Sequence, residues 1–168
     1  MKKLAQFFLK KIPEPLKQTA IIRLFGLRKI PLIFFVGPTV KQLDNETCII
    51  KIPLNRRTKN HLNSMYLGTL CIGADLAGGL AAIKFAEEAG FKSSFAFKEL
   101  NCKFLKRPES DTYFTCNDGP KIKEFVERVK VSGERHNLPV RVIATCPDQT
   151  GQEPIAEFTL VLSLKKIA

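Results

Sequence analysis

Residues 65–89, MYLGTLCIGADLAGGLAAIKFAEEA, decide the fold of this 168-residue chain. The stretch is too long and too rich in Ala and Leu for a strand, and Gly90 supplies a C-terminal stop, so it predicts a helix over about residues 66–89. The helix is apolar on nearly every side as far as Lys84, which is typical of a buried helix. Because a glycine in a helix costs about 1 kcal/mol relative to alanine, its glycines indicate close approach by another part of the chain or by a ligand. They are Gly68, Gly73, Gly78 and Gly79.

The rest of the chain supplies strands that can surround this helix. Apolar residues alternate with polar ones over residues 46–54, 94–106, 113–116, 140–146 and 156–164. The second of these strands slips in phase at Glu99-Leu100, which indicates a bulge. A second helix is expected after Pro120, and residues 148–151 have the composition of a turn, so the last two strands form a hairpin. The sequence therefore predicts an α+β fold, with a curved, mostly antiparallel sheet around one long central helix.

The N-terminal segment differs from the rest in its charge. The chain carries a formal net charge of +11, of which residues 1–40 contribute +7. Apolar residues recur at helical spacing over 4–8 and again over 16–25, with basic residues on the other faces, and Gly26 suits the end of the second helix. We interpret residues 1–36 as a basic amphipathic helical extension and residues 37–168 as the main domain.

Two arrangements of this extension are open. Its helices can lay their apolar faces on the main domain, as most surface helices do, or they can form a basic anchor in which residues 1–29 contact an anionic membrane surface. Nucleic acid is not an expected partner, because the basic segments lack interleaved aromatic residues and any groove-reading motif.

Several other classes of protein are not expected. The five cysteines are scattered singly and only His61 and His136 are histidines, so the sequence predicts no metal site and no disulfide framework. A reducing, cytoplasmic location is the simplest interpretation. No uninterrupted apolar run reaches the roughly 18 residues that would span a bilayer, so no membrane span is expected.

Asp75 is the first candidate for chemistry. Its carboxylate lies on the apolar helix with no basic residue one turn away, while Gly78 and Gly79 leave open space beside it. A buried acid without a partner is costly, so Asp75 either bonds to a neighbouring strand or subunit or serves a site. The start of the same helix adds free backbone N–H groups near Gly68, which can point at a carbonyl oxygen or a phosphate.

The spacing of these residues resembles that of a known family. Asn60 lies six positions before Tyr66 and Asp75 lies nine after it. This resembles the hotdog-fold thioesterases of the PaaI-like type, in which an Asn precedes a His-Gly-Gly turn by six positions and an acid follows that His by nine. Residues 51–79, KIPLNRRTKNHLNSMYLGTLCIGADLAGG, are still more similar to an uncharacterised branch of that superfamily. The resemblance covers about residues 37–166.

The resemblance implies a hotdog homodimer, or a dimer of dimers, with its sites at the interface between two subunits. It implies hydrolysis of an acyl-CoA or acyl-carrier-protein thioester, with coenzyme A as part of the substrate and no other cofactor. Asp75 would be the base or nucleophile, Gly68 the oxyanion donor and Asn60 a positioning group.

The substrate-binding residues follow from the same turn and the loop before it. Tyr66 and Leu67 stand where the family has His and Gly, and this departure leaves a non-catalytic acyl-CoA or lipid-binding module as the alternative function. Arg56, Arg57 and Lys59 either form a solvated loop or hold the phosphates of coenzyme A or the acidic face of a carrier protein. A pocket lined by Phe95, Phe97, Leu80 and the glycine-rich helix face would favour an apolar acyl group.

Overall fold

In the computed structural model of this chain, the structure describes residues 13–167. Helices α1 (Glu14–Lys29) and α2 (Pro31–Val36) come first, followed by strands β1 (Thr39–Leu43) and β2 (Cys48–Ile52) and the central helix α3 (Leu67–Glu88). The remaining elements are β3 (Lys92–Phe104), β4 (Thr112–Cys116), α4 (Gly119–Ser132), β5 (His136–Thr145), the short α5 (Pro147–Thr150) and β6 (Pro154–Ile167). The amphipathic helix predicted over residues 4–8 lies outside the described residues.

The six strands form one antiparallel sheet in the order β1-β2-β4-β5-β6-β3. The predicted α+β fold, the final hairpin and the bulge are confirmed, the bulge falling between Phe97 and Glu99. The edge strand β1 is not predicted by the sequence, because its residues TVKQL do not alternate between apolar and polar. The predicted turn at 148–151 contains the short helix α5, which ends at Gly151 with a φ of 60°.

Glycines on α3 bring the sheet close to this helix, as the sequence predicts. A Cβ at Gly73 would overlap the buried ring of Phe114 on β4. A Cβ at Gly79 would come within 2.7 Å of Phe95 on β3. The sheet therefore wraps α3 at distances that a larger side chain would prevent.

Helix α3 has the length and composition of a membrane span but is buried in the domain. Its length and a mean hydropathy of 1.4 over 18 residues would suffice to span a membrane. The sequence did not suggest a span, because charged residues interrupt its apolar runs. In the structure, 67% of that window is buried inside the domain, which makes α3 the core helix of the sheet.

Helix α1 differs from the sequence expectations in two respects. It continues past Gly26 to Lys29, and Gly26 lies where α2 crosses it, since a Cβ there would come within 2.7 Å of the Phe34 backbone nitrogen. Of the two arrangements left open for the apolar face of α1, packing on the main domain is not observed, because the buried residues of this helix are Thr19, Ile22 and Gly26 instead. The exposed side chains are Leu16 (57%), Ile21 (65%), Leu24 (46%) and Phe25 (47%).

Polar side chains fix α1 to the edge of the sheet. The Thr19 hydroxyl accepts a hydrogen bond from the backbone N–H of Val40 on β1 at 2.9 Å. The Arg23 guanidinium donates to the backbone oxygens of Pro38 at 2.9 Å and Gly37 at 3.2 Å. These bonds explain why the buried face of α1 includes a threonine, while four of its large apolar residues are exposed. The domain boundary between residues 36 and 37 stays a prediction.

Candidate functional site

The Asp75 carboxylate lines a cavity of about 250 Å³ that lies between α3, the two N-terminal helices and β3. Its surroundings are mostly apolar side chains, including Ile22, Leu76 and Phe95. Burial raises the pKa of Asp75 from 3.8 to about 6, and no charge or hydrogen bond among the described residues offsets that effect. Asp75 is thus a stronger base than an ordinary aspartate while remaining largely ionised near neutral pH.

The first turn of α3 offers two backbone donors. The N–H groups of Thr69 and Leu70 both bond to the Tyr66 carbonyl, at 2.9 and 3.1 Å. The N–H groups of Leu67 and Gly68 find no backbone acceptor within the described part of the chain. The ring of Tyr66 lies directly beside Gly68, where it would meet a Cβ at 2.7 Å. Tyr66 and Leu67 are both more than half exposed, so this turn is open to a ligand.

Gly68 and Asp75 lie two turns apart on nearly the same face of α3. Seven residues at 1.5 Å per residue separate them by ~10 Å along the helix axis. One thioester carbonyl cannot contact both groups over that distance. A single chain therefore does not assemble the predicted base and the predicted oxyanion donor at one point.

Asn60 lies in the loop before α3, and its side-chain oxygen is fully engaged in that loop. The oxygen accepts hydrogen bonds from the backbone N–H groups of Leu62 at 2.8 Å and Ser64 at 3.2 Å, and from the Ser64 hydroxyl at 3.2 Å. Asn60 lines an open groove of about 470 Å³ together with Leu67. Asp75 lines the separate cavity on α3, so the structure does not bring Asn60 and Asp75 together within one chain.

The three predicted basic residues lie on the same loop but outside both the groove and the cavity. The Arg57 guanidinium lies 5.8 Å from the centre of the Phe35 ring on α2. The Lys59 ammonium donates to the side-chain oxygen of Asn63 at 2.8 Å. Arg56 is exposed. These charges lie on the loop that precedes α3 and do not line a common cavity.

The sequence interpretation missed other residues that the structure brings to these sites. Lys106 and Arg107 line the groove, and their position directly after the strand that ends at Phe104 is the signal that could have found them. Ile21, Phe25 and Ile33 of the N-terminal helices line the Asp75 cavity, although no sequence pattern connects them to α3. The expected apolar lining is present in part, since Leu80 and Phe95 line this cavity.

Several solved structures have a fold similar to that of this chain. A protein of unknown function from Chlorobaculum tepidum TLS is 16% identical, with a TM-score of 0.77 over 91% of this chain and 97% of that one. A Pseudomonas aeruginosa protein of unknown function, described as a probable thioesterase, is 20% identical, with a TM-score of 0.70 over 93% and 99% of the two chains. A thioesterase from Haemophilus influenzae is 12% identical, with a TM-score of 0.63 over 85% and 88%.

These similarities show that the long helix and its curved sheet form the hotdog fold that the resemblance implied. A comparison with curated protein sequences finds no significant match. The family model described as Domain of unknown function (DUF4442) matches residues 18–162, which include most of α1 as well as the sheet and α3. The chain therefore belongs to the DUF4442 family and has the fold of the hotdog thioesterase superfamily.

Proposed function

We propose that this protein is an acyl-CoA or acyl-carrier-protein thioesterase in which Asp75 activates the attacking water. The observation that carries the proposal is an acid with a pKa of about 6 that faces a mainly apolar cavity in a hotdog fold. A general base works best when its pKa lies near the operating pH. The thioesterases among the similar structures support the reaction class.

The proposed reaction begins when Asp75 removes a proton from water as the water oxygen attacks the thioester carbon. The carbonyl oxygen becomes an oxyanion that accepts a hydrogen bond from the backbone N–H of Gly68. When the tetrahedral intermediate collapses, the carbon–sulfur bond breaks and Asp75 returns its proton to the leaving thiolate. The products are a carboxylic acid and a free thiol, and the enzyme regains its initial charge.

This chemistry needs a homodimer, because Gly68 and Asp75 of one chain are ~10 Å apart along the helix. In the proposed dimer, Asp75 of one subunit meets the Gly68 turn of the other, with Asn60 positioning the water. Strand β3 supports this arrangement, since it lies at the edge of the sheet and its outer side is unpaired within the described chain. Its exposed Leu100 and Phe104 provide apolar surface for a second copy. A dimer of dimers would use the same pair.

Basic residues around the start of α3 would hold the carrier. Arg56, Arg57 and Lys59 lie on the loop before this helix, and Lys106 and Arg107 line the adjacent groove. Guanidinium groups bind phosphate through paired hydrogen bonds. We expect them to contact the phosphates of coenzyme A or the acidic surface of a carrier protein.

Contact with a membrane is a separate part of the proposal. Leu16, Leu24 and Leu27 on α1 are each about half exposed, and Lys17 and Arg28 lie on the same helix. Apolar side chains flanked by basic ones suit the surface of an anionic bilayer. We therefore propose a cytoplasmic enzyme that binds the membrane peripherally through residues 1–29.

Thiol release from acyl-CoA thioesters of different chain lengths tests the proposed reaction. Asp75→Asn should reduce turnover at least ~100-fold, while Glu124→Gln on the exposed side of α4 should leave it unchanged. Turnover by the natural protein should rise with pH through about 6, as Asp75 loses its proton.

Two outcomes would contradict the mechanism in different ways. Turnover that is unaffected by Asp75→Asn would remove Asp75 from the reaction. Tight acyl-CoA binding without any turnover would instead identify a non-catalytic binding module.

A further inference from the structure

The N-terminal helices form one side of the cavity in which Asp75 lies. Ile22 and Ile33 are almost fully buried on that side, and Leu76 is buried opposite them on α3. The sequence resemblance to the PaaI-like thioesterases begins near residue 37, but the DUF4442 family model also covers most of α1 and all of α2. The cavity is formed jointly by these two helices, α3 and β3.

Hydrogen bonds and close packing attach the N-terminal helices to the edge of the sheet and leave the cavity open. The hydrogen bonds of Thr19 and Arg23 hold α1 against β1 and the residues that precede it. Gly26 lets α2 cross α1 closely, which brings Ile33 to the cavity. The helix pair is thus attached to the sheet edge, and it faces α3 across the cavity.

We infer that α1 and α2 complete the binding site for the acyl chain, and that this site takes a straight apolar chain of medium length with its thioester end at Asp75. This inference rests on the proposed function and adds to it the class of substrate and a role for the extension. Its basis is the shape and chemistry of the cavity.

The residues that line the cavity differ between its two ends. Asp75 lies toward one end, and Glu87 lies three turns further along α3, ~18 Å away. Glu87 is exposed, so that end is open to solvent. Between them Gly79 contributes no side chain, and the ring of Phe95 forms the floor. An acyl chain can therefore extend from Asp75 along an apolar path toward water.

The volume sets the length of the chain. A methylene group occupies about the space of one water molecule in the liquid, ~30 Å³. The cavity of about 250 Å³ therefore accommodates roughly eight such groups. Longer chains would exceed this volume and gain less contact for each added methylene.

The outer lip of the cavity is apolar and accessible. Ile21 and Phe25 line the cavity but remain 65% and 47% exposed. Leu24 is exposed to a similar degree, at 46%, yet does not line the cavity. Phe25 and Leu24 therefore form a matched pair for substitution on the same turn of α1.

Competition binding tests the inference without any need for catalysis. The full-length protein is loaded with the neutral fluorophore 1-aminoanthracene, which is then displaced by straight-chain alcohols from butanol to tetradecanol. Affinity should rise about fourfold per added methylene, as expected for burial of that group, and should level off near octanol or decanol. Phe25→Ala should move the plateau to longer alcohols, Ile21→Trp should weaken decanol binding at least tenfold, and Leu24→Ala should change neither.

The outcomes separate this inference from the proposed reaction. Equal alcohol binding by the Phe25→Ala, Ile21→Trp and Leu24→Ala proteins would overturn the inference even if the enzyme hydrolyses acyl-CoA. An affinity for alcohols that rises with chain length without a plateau would also overturn the inference. Chain-length-dependent binding that responds to Phe25 and Ile21, in a protein that hydrolyses no thioester, would support the acyl site and overturn the proposed reaction. Circular dichroism of each variant shows whether it is folded.

Discussion

Helices α1 and α3 are both rich in apolar residues, yet they use them in opposite ways. Helix α3 buries small residues, so the sheet reaches its backbone on several sides. Helix α1 buries Thr19, Ile22 and Gly26 but exposes other large residues such as Ile21 and Phe25. Small residues on α3 thus let the sheet pack against the backbone of this helix, whereas the large exposed residues of α1 leave a surface and a cavity available for a ligand or partner.

The largest expected effect concerns close packing on α3. Gly73→Val would force its side chain into the ring of Phe114, which is fully buried and has no space to move. We expect a loss of about 3 kcal/mol in the free energy of unfolding, as for overpacked cores. Urea unfolding followed by circular dichroism measures it.

Gly68→Val on the same helix is the control for this substitution. Its side chain would meet the ring of Tyr66, which is 57% exposed and can turn away. We expect a change within about 1 kcal/mol. Equal losses for the two variants would show that helix propensity, not contact with the sheet, sets the cost.

The second expected effect concerns the Asp75 carboxylate on α3 and its influence on stability at different pH values. Folding raises the pKa of Asp75 from 3.8 to about 6. The folded state therefore binds this proton more tightly, and stability is lost as the pH rises from about 4 through about 6. Asp75→Asn should consequently stabilise the protein by about 2 kcal/mol at pH 8 and change little at pH 4.

Paired urea titrations of Asp75→Asn and the natural protein at these two pH values measure the difference. Asp148→Asn, on the surface helix α5, serves as the control, because its carboxylate is exposed to solvent. A variant that is less stable than the natural protein at pH 8 would indicate that Asp75 has a bonding partner after all. Gain of stability with loss of activity is the expected signature of a site residue.

The sequence predicted α3 and five strands well because their apolar residues follow the patterns of a buried helix and of strands. The single-chain arrangement of the site could not be predicted in the same way. Asn60 and Asp75 have the spacing of the hotdog thioesterases, yet they line different cavities, because spacing along the chain does not determine which residues line the same cavity. The path of α1 was also unpredictable, because the hydroxyl of Thr19 determines it and a helical pattern of apolar residues does not reveal this contact.

The third expected effect concerns the attachment of α1. Thr19→Val removes the hydroxyl that accepts a hydrogen bond from the buried N–H of Val40 while keeping the size of the side chain. An unsatisfied buried donor costs about 1–2 kcal/mol. Hydrogen exchange should show faster exchange at Val40, and thermal unfolding should show the lower stability. Thr159→Val, on the exposed face of β6, should have neither effect.

The smallest effect on stability is expected for the exposed face of α1, whose apolar residues, unlike those of α3, do not pack in the core. Leu24→Glu places a charge at a position that is 46% exposed and outside both cavities, so the free energy of unfolding should change by less than about 0.5 kcal/mol. Binding to vesicles that contain anionic lipid should nevertheless fall at least tenfold, because the variant loses apolar contact and adds a repelled charge.

Val131→Glu, at an 87% exposed apolar position on α4, is the matched control and should leave vesicle binding unchanged. Co-sedimentation with vesicles at low and physiological salt measures both variants, and the natural protein should bind more weakly as salt increases. Equal losses for Leu24→Glu and Val131→Glu would indicate that net charge alone governs binding. Loss of stability in Leu24→Glu would instead show that this face of α1 is covered in solution, as it would be if a second copy of the chain packed there.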